Sequence, residues 1–140
     1  TGVQTCALPI YAKYLFGKAS IYSHFGDDAF AIIRHFLNLY FADSRNLVYA
    51  KNPIKTDVSE EIKSLFCGDN YKDDYVVLKR ELKKLDRHIP PLVNSYMNVS
   101  PTMIAFDSTI NEEFGNVYET GLLVTTADMY EEKVKRHMEF

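Results

Sequence analysis

Ile89-Pro-Pro-Leu-Val-Asn-Ser-Tyr-Met-Asn-Val-Ser-Pro-Thr-Met103, followed six residues later by Ile110-Asn-Glu-Glu-Phe-Gly-Asn-Val-Tyr-Glu-Thr-Gly-Leu122, is the stretch on which the fold turns. Pro90-Pro91 ends any helix arriving from upstream. Because proline is tolerated in a first turn, the pair can also open a short helix over Leu92–Asn98. Beyond it the pattern changes. Met103–Ile110 and Val117–Thr126 read as two strands, and the Asn and Gly residues of Asn111-Glu-Glu-Phe-Gly-Asn116 between them tolerate positive φ. A β-hairpin is predicted.

Upstream, Tyr71, Tyr75, Leu78, Leu82, Leu85 and Ile89 follow alternating spacings of four and three residues, one narrow helical seam. Cys67-Gly-Asp-Asn70 before it is a turn signal, and Val58–Phe66 reads as a short helix. Leu47–Ala50 is a short strand candidate closed by Asn52-Pro53. Nearer the start, Tyr14–Ile21 is rich in aromatic and branched residues and reads as a buried strand. Gly17 in its middle predicts a bulge or a close backbone approach. Gly26-Asp27-Asp28 supplies a cap and first-turn carboxylates, after which apolar residues at 29, 30, 33, 36, 37 and 40 trace a helix face. Thr126 or Asp128 caps a final helix running toward Phe140. Strand, helix, helical excursion, hairpin and helix is an α/β order.

The chain has 140 residues, with 16 Lys and Arg against 19 Asp and Glu, a net charge of −3 that gives no overall pull toward nucleic acid. Its ten Tyr and nine Phe follow apolar periodicities, not a basic-aromatic stripe, so core packing accounts for them. Thr1-Gly-Val-Gln-Thr-Cys-Ala-Leu-Pro-Ile10 resembles translated sequencing-adapter read-through. The domain reading is accordingly residues 1–10 as a non-native artefact and 11–140 as one incomplete domain. That leaves Cys67 as the sole native thiol, which excludes a disulfide framework or a cysteine-rich zinc site and fits a reducing, cytoplasmic compartment. The longest apolar run, Ala29–Ala42, is interrupted by Arg34, His35 and Asn38, short of a membrane span. His35, His88 and His137 are too scattered for metal-ligand spacing, and no phosphate-binding glycine loop or Ser-His-Asp pattern is present, so no metal and no covalent nucleophile are expected.

The segment Arg80–Asp128, and with it Tyr14-Leu-Phe-Gly-Lys-Ala-Ser-Ile-Tyr-Ser-His-Phe25, resembles the C-terminal part of the bacterial haemolysin-like branch of the GNAT acyltransferases. The resemblance implies a partial GNAT-like α/β fold: its C-terminal half, a mixed sheet with flanking helices and a C-terminal β-hairpin. Tyr14–Ile21 would be the fifth core strand. The fourth strand, with its oxyanion-stabilising N–H and phosphopantetheine-cradling turn, would lie outside these residues. The family is similar to enzymes that acylate the amine of ornithine or glycine with a 3-hydroxyacyl chain, making aminolipids. No bound cofactor is implied. The implied donor is acyl-acyl carrier protein or acyl-CoA, and the implied partners are acyl carrier protein, an amino-acid acceptor and, peripherally, the inner membrane surface.

Direct acyl transfer needs a base for the amine and a proton for the leaving thiolate. Ser20-Ile-Tyr-Ser-His24 leaves the strand and enters a helix N-terminus, so Tyr22 is the candidate acid and His24 the candidate base, with Ser20 and Ser23 as substrate contacts. The plain alternative is that Ser23 caps the helix while Tyr22 packs. Asp107, Glu112, Glu113 and Glu119 of the hairpin could hold an acceptor ammonium, or be ordinary surface charge. Lys79, Arg80, Lys83, Lys84 and Arg87 form a basic helix side suited to acidic carrier protein, or a solvated face. Two positions depart from the family pattern: Tyr22, where many members carry Asn, and Asp107, where many carry Gly. A non-catalytic GNAT-like binding module and an acetyl-CoA-dependent acetyltransferase are the rival readings.

Overall fold

The computed structural model describes residues 13–45, 50–54 and 58–130. The expected final helix beyond Tyr130, the artefact reading of residues 1–10 and most of the Leu47–Ala50 strand candidate fall outside them.

Strands β1 (Tyr14–Ile21), β2 (Ile104–Asn111) and β3 (Val117–Thr125) form one sheet in the order β1-β3-β2. Both pairings are antiparallel. Among the described residues the parallel component is a single bridge between Ala42 and Ala105. The predicted hairpin is β2–β3. Its connection makes a 3-10 turn over Glu112–Phe114 and then Gly115 at φ 70 and Asn116 at φ 56, the conformations that Gly and Asn tolerate best.

Helices α1 (Asp27–Tyr40), α2 (Glu60–Ser64), α3 (Tyr71–Lys84) and α4 (Pro91–Met97) complete the fold. This mixed α/β arrangement, a three-stranded antiparallel sheet with flanking helices, is compatible with a partial GNAT-like fold. Pro91 opens α4 as its position predicts. Asn70 caps α3 by accepting from the Asp73 N–H.

The seam expected to carry α3 on to Ile89 stops earlier. Asp86 takes a left-handed φ of 57, its N–H returns to the Lys83 carbonyl, and the Arg87 N–H returns to that of Leu82. That closure satisfies the last carbonyls and ends the helix, leaving Leu85 exposed. No helix among the described residues is long and apolar enough to cross a membrane.

The helices cover one face of the sheet. Ala19 and Ile21 of β1, Leu122 and Val124 of β3 and Ala105 of β2 share a core with Ile33, Phe36 and Leu37 of α1, Leu78 and Leu82 of α3, and Val93 and Met97 of α4. Gly17 lies on this face, and the expected close approach is to Tyr96, whose hydroxyl occupies the space a Cβ would need. A β-bulge separates Ala105 from Ser108. Buried Arg34 of α1 pins it, donating from Nη1 to the Phe106 carbonyl at 2.9 Å and from Nη2 to Asn38 at 3.1 Å.

The opposite face is more open, with Tyr14 and Phe16 about half exposed. Among the described residues no strand pairs with the outer edge of β1. The Thr126 N–H donates to the Lys13 carbonyl, so odd-numbered β1 residues bond to β3 and the backbone groups of Tyr14, Phe16, Lys18 and Ser20 point away from it.

Candidate functional site

Across the open face Ser20, Glu119 and Thr109 stand in one cross-strand row, because Glu119 is paired with Ser20 on one side and with Thr109 on the other. Glu119 is therefore a strand residue at the middle of the sheet, not a turn charge. Its Oε1 accepts from the Asn111 amide at 3.0 Å and its Oε2 from the Lys18 ammonium at 3.3 Å. The Asn111 hydrogen bond, aided by Lys18 and opposed by burial, holds the carboxyl below the usual glutamate range. The Glu119 side chain is 14% exposed while that of Lys18 is 62% exposed, so the pair offers its cationic end to solvent.

Glu119 also borders an open hollow of about 500 Å³ that Glu112, Asn111 and Thr109 share with Asn52, Pro53 and Ile54. Two hydrogen bonds hold that loop to β2: Ile54 N–H to the Ser108 carbonyl at 2.8 Å, and Thr109 hydroxyl to the Asn52 carbonyl at 3.0 Å.

The turn after β1 carries Tyr22 and His24, whose rings stack with centroids 5.8 Å apart. Both are exposed. Arg87, just past the end of α3, fixes this turn by donating to the carbonyls of His24 and Phe25, each at 2.9 Å. Ser23 begins the 3-10 turn, and α1 is entered through Gly26 at φ 93 with no side-chain cap bond. Tyr118 donates its hydroxyl to Asp27 in the first turn of α1 at 2.9 Å, tying the hairpin to this corner.

The other sequence candidates are dispersed. The bulge carries Asp107 to the edge of the sheet, where its carboxylate accepts from the Ala50 N–H at 3.2 Å. Glu113 is exposed in the hairpin turn. On α3, Lys79 lies over the Tyr75 ring at 4.8 Å, Arg80 and Lys84 both reach Glu81 at 3.5 and 2.9 Å, and Lys83 is exposed. With Arg87 turned toward the 3-10 turn, this side is less a uniform cationic surface than its composition suggests. Among the described residues no three His, Cys, Asp or Glu side chains converge as metal ligands would.

Sequence reasoning missed Lys18 and Asn111. The two-residue strand period places each on a face, but no local signal tells which partner lies 101 or 8 positions away.

Taken together, the site is a positioned carboxylate and its ion-paired, solvent-facing ammonium on the more open sheet face, with the exposed Tyr22–His24 turn following the strand that carries Lys18. The chain is 42% identical over 139 residues, 99% of its length, to a protein of Bacteroides thetaiotaomicron named glycine N(alpha)-acyltransferase. It is 41% identical over 128 residues, 91% of its length, to a protein of the same name from Phocaeicola vulgatus. It spans 41% and 39% of the lengths of these two relatives. No family model and no solved structure matches it.

Proposed function

We propose that this chain forms the acceptor-binding side of an N-acyltransferase. The enzyme would move a fatty acyl group, such as a 3-hydroxyacyl chain, from acyl carrier protein to the amine of an amino acid such as glycine or ornithine, in aminolipid synthesis. Support comes from the names of the two relatives and, in the structure, from one observation: Glu119 is locked between Asn111 and Lys18 on the open face, in the same row as Ser20.

A carboxylate held below its usual range stays ionised at neutral pH, which suits it to hold an ammonium and not to abstract its proton. His24 takes that proton. The freed amine attacks the thioester carbonyl, the C–S bond breaks as the amide C–N bond forms, and Tyr22 protonates the leaving thiolate while regaining a proton from the nitrogen, which sheds its second one on becoming an amide. The reaction proceeds in the cytoplasm, with the product released at the inner membrane surface.

The test is a mass-spectrometric lipid profile of cells expressing the intact gene, in wild-type, Glu119→Gln, Tyr22→Phe and His24→Ala forms. New N-acyl amino acids are expected. Glu119→Gln should lower acylation about 10- to 100-fold, as expected for losing a hydrogen bond to a charged group. Unchanged lipids in cells holding folded protein and carrier protein would instead favour a non-catalytic binding module. Acetylated acceptor would favour an enzyme using acetyl-CoA.

A further inference from the structure

We infer that Lys18 and Glu119 together form a subsite for the zwitterion of an α-amino acid: Glu119 takes the amine and Lys18 the carboxylate, so that Lys18 selects amino acids over amines lacking a carboxylate. The inference rests on the acyl-transfer reading above and adds to it the chemical feature by which the acceptor is recognised.

The Lys18 ammonium and the Glu119 carboxylate are 3.3 Å apart, and their side chains project from neighbouring strands onto the same face. In an α-amino acid the nitrogen and the carboxyl carbon are separated by about 2.5 Å, two covalent bonds. A ligand dipole of that length lies head to tail against the protein pair, each charge meeting its opposite. Lys18 has the capacity for this, since an ammonium carries three donors and, among the described residues, it bonds Glu119 alone. Glu119 needs no reorganisation, because Asn111 already fixes its other oxygen.

An apolar wall flanks the pair. Lys18 stands directly opposite Gly121, so the floor of the sheet there lacks a side chain. A Cβ at Gly121 would come within 3.3 Å of the rings of Phe16 and Phe106, which wall that spot. Ser20, level with Glu119, presents its hydroxyl on the same face.

The experiment uses the full-length enzyme with acyl-acyl carrier protein as donor, and acceptor pairs that differ in the carboxylate: glycine against glycinamide, and ornithine against putrescine. Lys18→Gln should raise KM for glycine and ornithine about tenfold more than it raises KM for glycinamide and putrescine. Lys18→Arg should restore most of the preference. An equal loss on both members of each pair, or no loss on either, overturns the subsite. Ligand-observed NMR of glycine binding separates this from failure of the transfer reading. Glycine bound by wild type, lost in Lys18→Gln and never acylated keeps the subsite and sinks the acyl-transfer proposal; glycine bound equally by both proteins sinks the subsite.

Discussion

Replacing Asp74 by Asn should destabilise the fold by about 2–3 kcal/mol, because this buried carboxylate near the start of α3 gathers donors from two parts of the chain. Its Oδ1 accepts from the Cys67 N–H at 3.0 Å. Its Oδ2 accepts from the Gly68 N–H at 2.9 Å, from the Tyr40 hydroxyl at the end of α1, and from the Cys67 thiol at 3.5 Å. An amide keeps one acceptor oxygen. With that oxygen in the Oδ2 place, its NH₂ confronts the Cys67 N–H, so one bond is lost and a partly buried donor is left unpaired. Asp74→Ala, which abandons every one of these donors, should cost about 4 kcal/mol, a large share of a domain stability of about 5–15 kcal/mol.

The assay is equilibrium urea unfolding followed by circular dichroism. With a slope of about 1.5 kcal/mol/M, Asp74→Asn should move the midpoint down by about 1.5 M. pH supplies an internal check. Burial by itself would raise the Asp74 carboxyl, but the bonds from Tyr40, Gly68 and Cys67 outweigh it and hold the group below its ordinary value of 3.8. Its contribution is therefore complete above that ordinary value and lost as pH falls through the lower folded one. The gap between wild type and Asp74→Asn should be full at pH 7 and close progressively in acid. A variant within about 0.5 kcal/mol of wild type at pH 7, the error of such measurements, would refute the reasoning, as would a gap that widens in acid.

Three further perturbations are diagnostic. Tyr71 has a buried hydroxyl with no hydrogen-bond partner among the described residues, and burial pushes its pKa up to about 12. Tyr71→Phe should leave stability unchanged or raise it by up to about 1 kcal/mol in the same urea assay. Arg34→Met should cost about 1–3 kcal/mol by leaving the Phe106 carbonyl of the bulge unpaired, and amide exchange at Ile54, bonded to the next part of β2, should accelerate. Gly17→Ala should cost about 1–3 kcal/mol because its Cβ collides with the Tyr96 hydroxyl, and combining it with Tyr96→Phe should recover part of the loss.

Much of the secondary structure was legible locally. The strand at Tyr14–Ile21, the helix after Gly26, the opening of α4 at Pro91 and the hairpin about Gly115-Asn116 all follow from period, proline and glycine, which act within a few residues. The end of α3 was not, because the apolar seam continues in sequence past the residue where Asp86 turns left-handed. Of the candidate site, Glu119 and the Tyr22–His24 turn could be read as chemistry-bearing types, and the predicted strand set Glu119 apart from Glu113 in the turn, but nothing local showed that Lys18 and Asn111 would flank it.

Sequence alone determined the elements, the apolar faces and the supply of carboxylate, imidazole and phenol, since those depend on residue identity and short spacing. Only the tertiary structure decided which of them meet. Lys18 finds Glu119 across 101 positions because β1 pairs with β3 in one register, and a one-residue slip of β1 would turn Lys18 to the opposite face, away from Glu119. Arg87 leaves its helix side for the carbonyls of His24 and Phe25, and Asp74 collects Tyr40 and the Cys67 turn, for the same reason. Such pairings are set by the packing of the core, and no window of sequence shorter than the domain contains it.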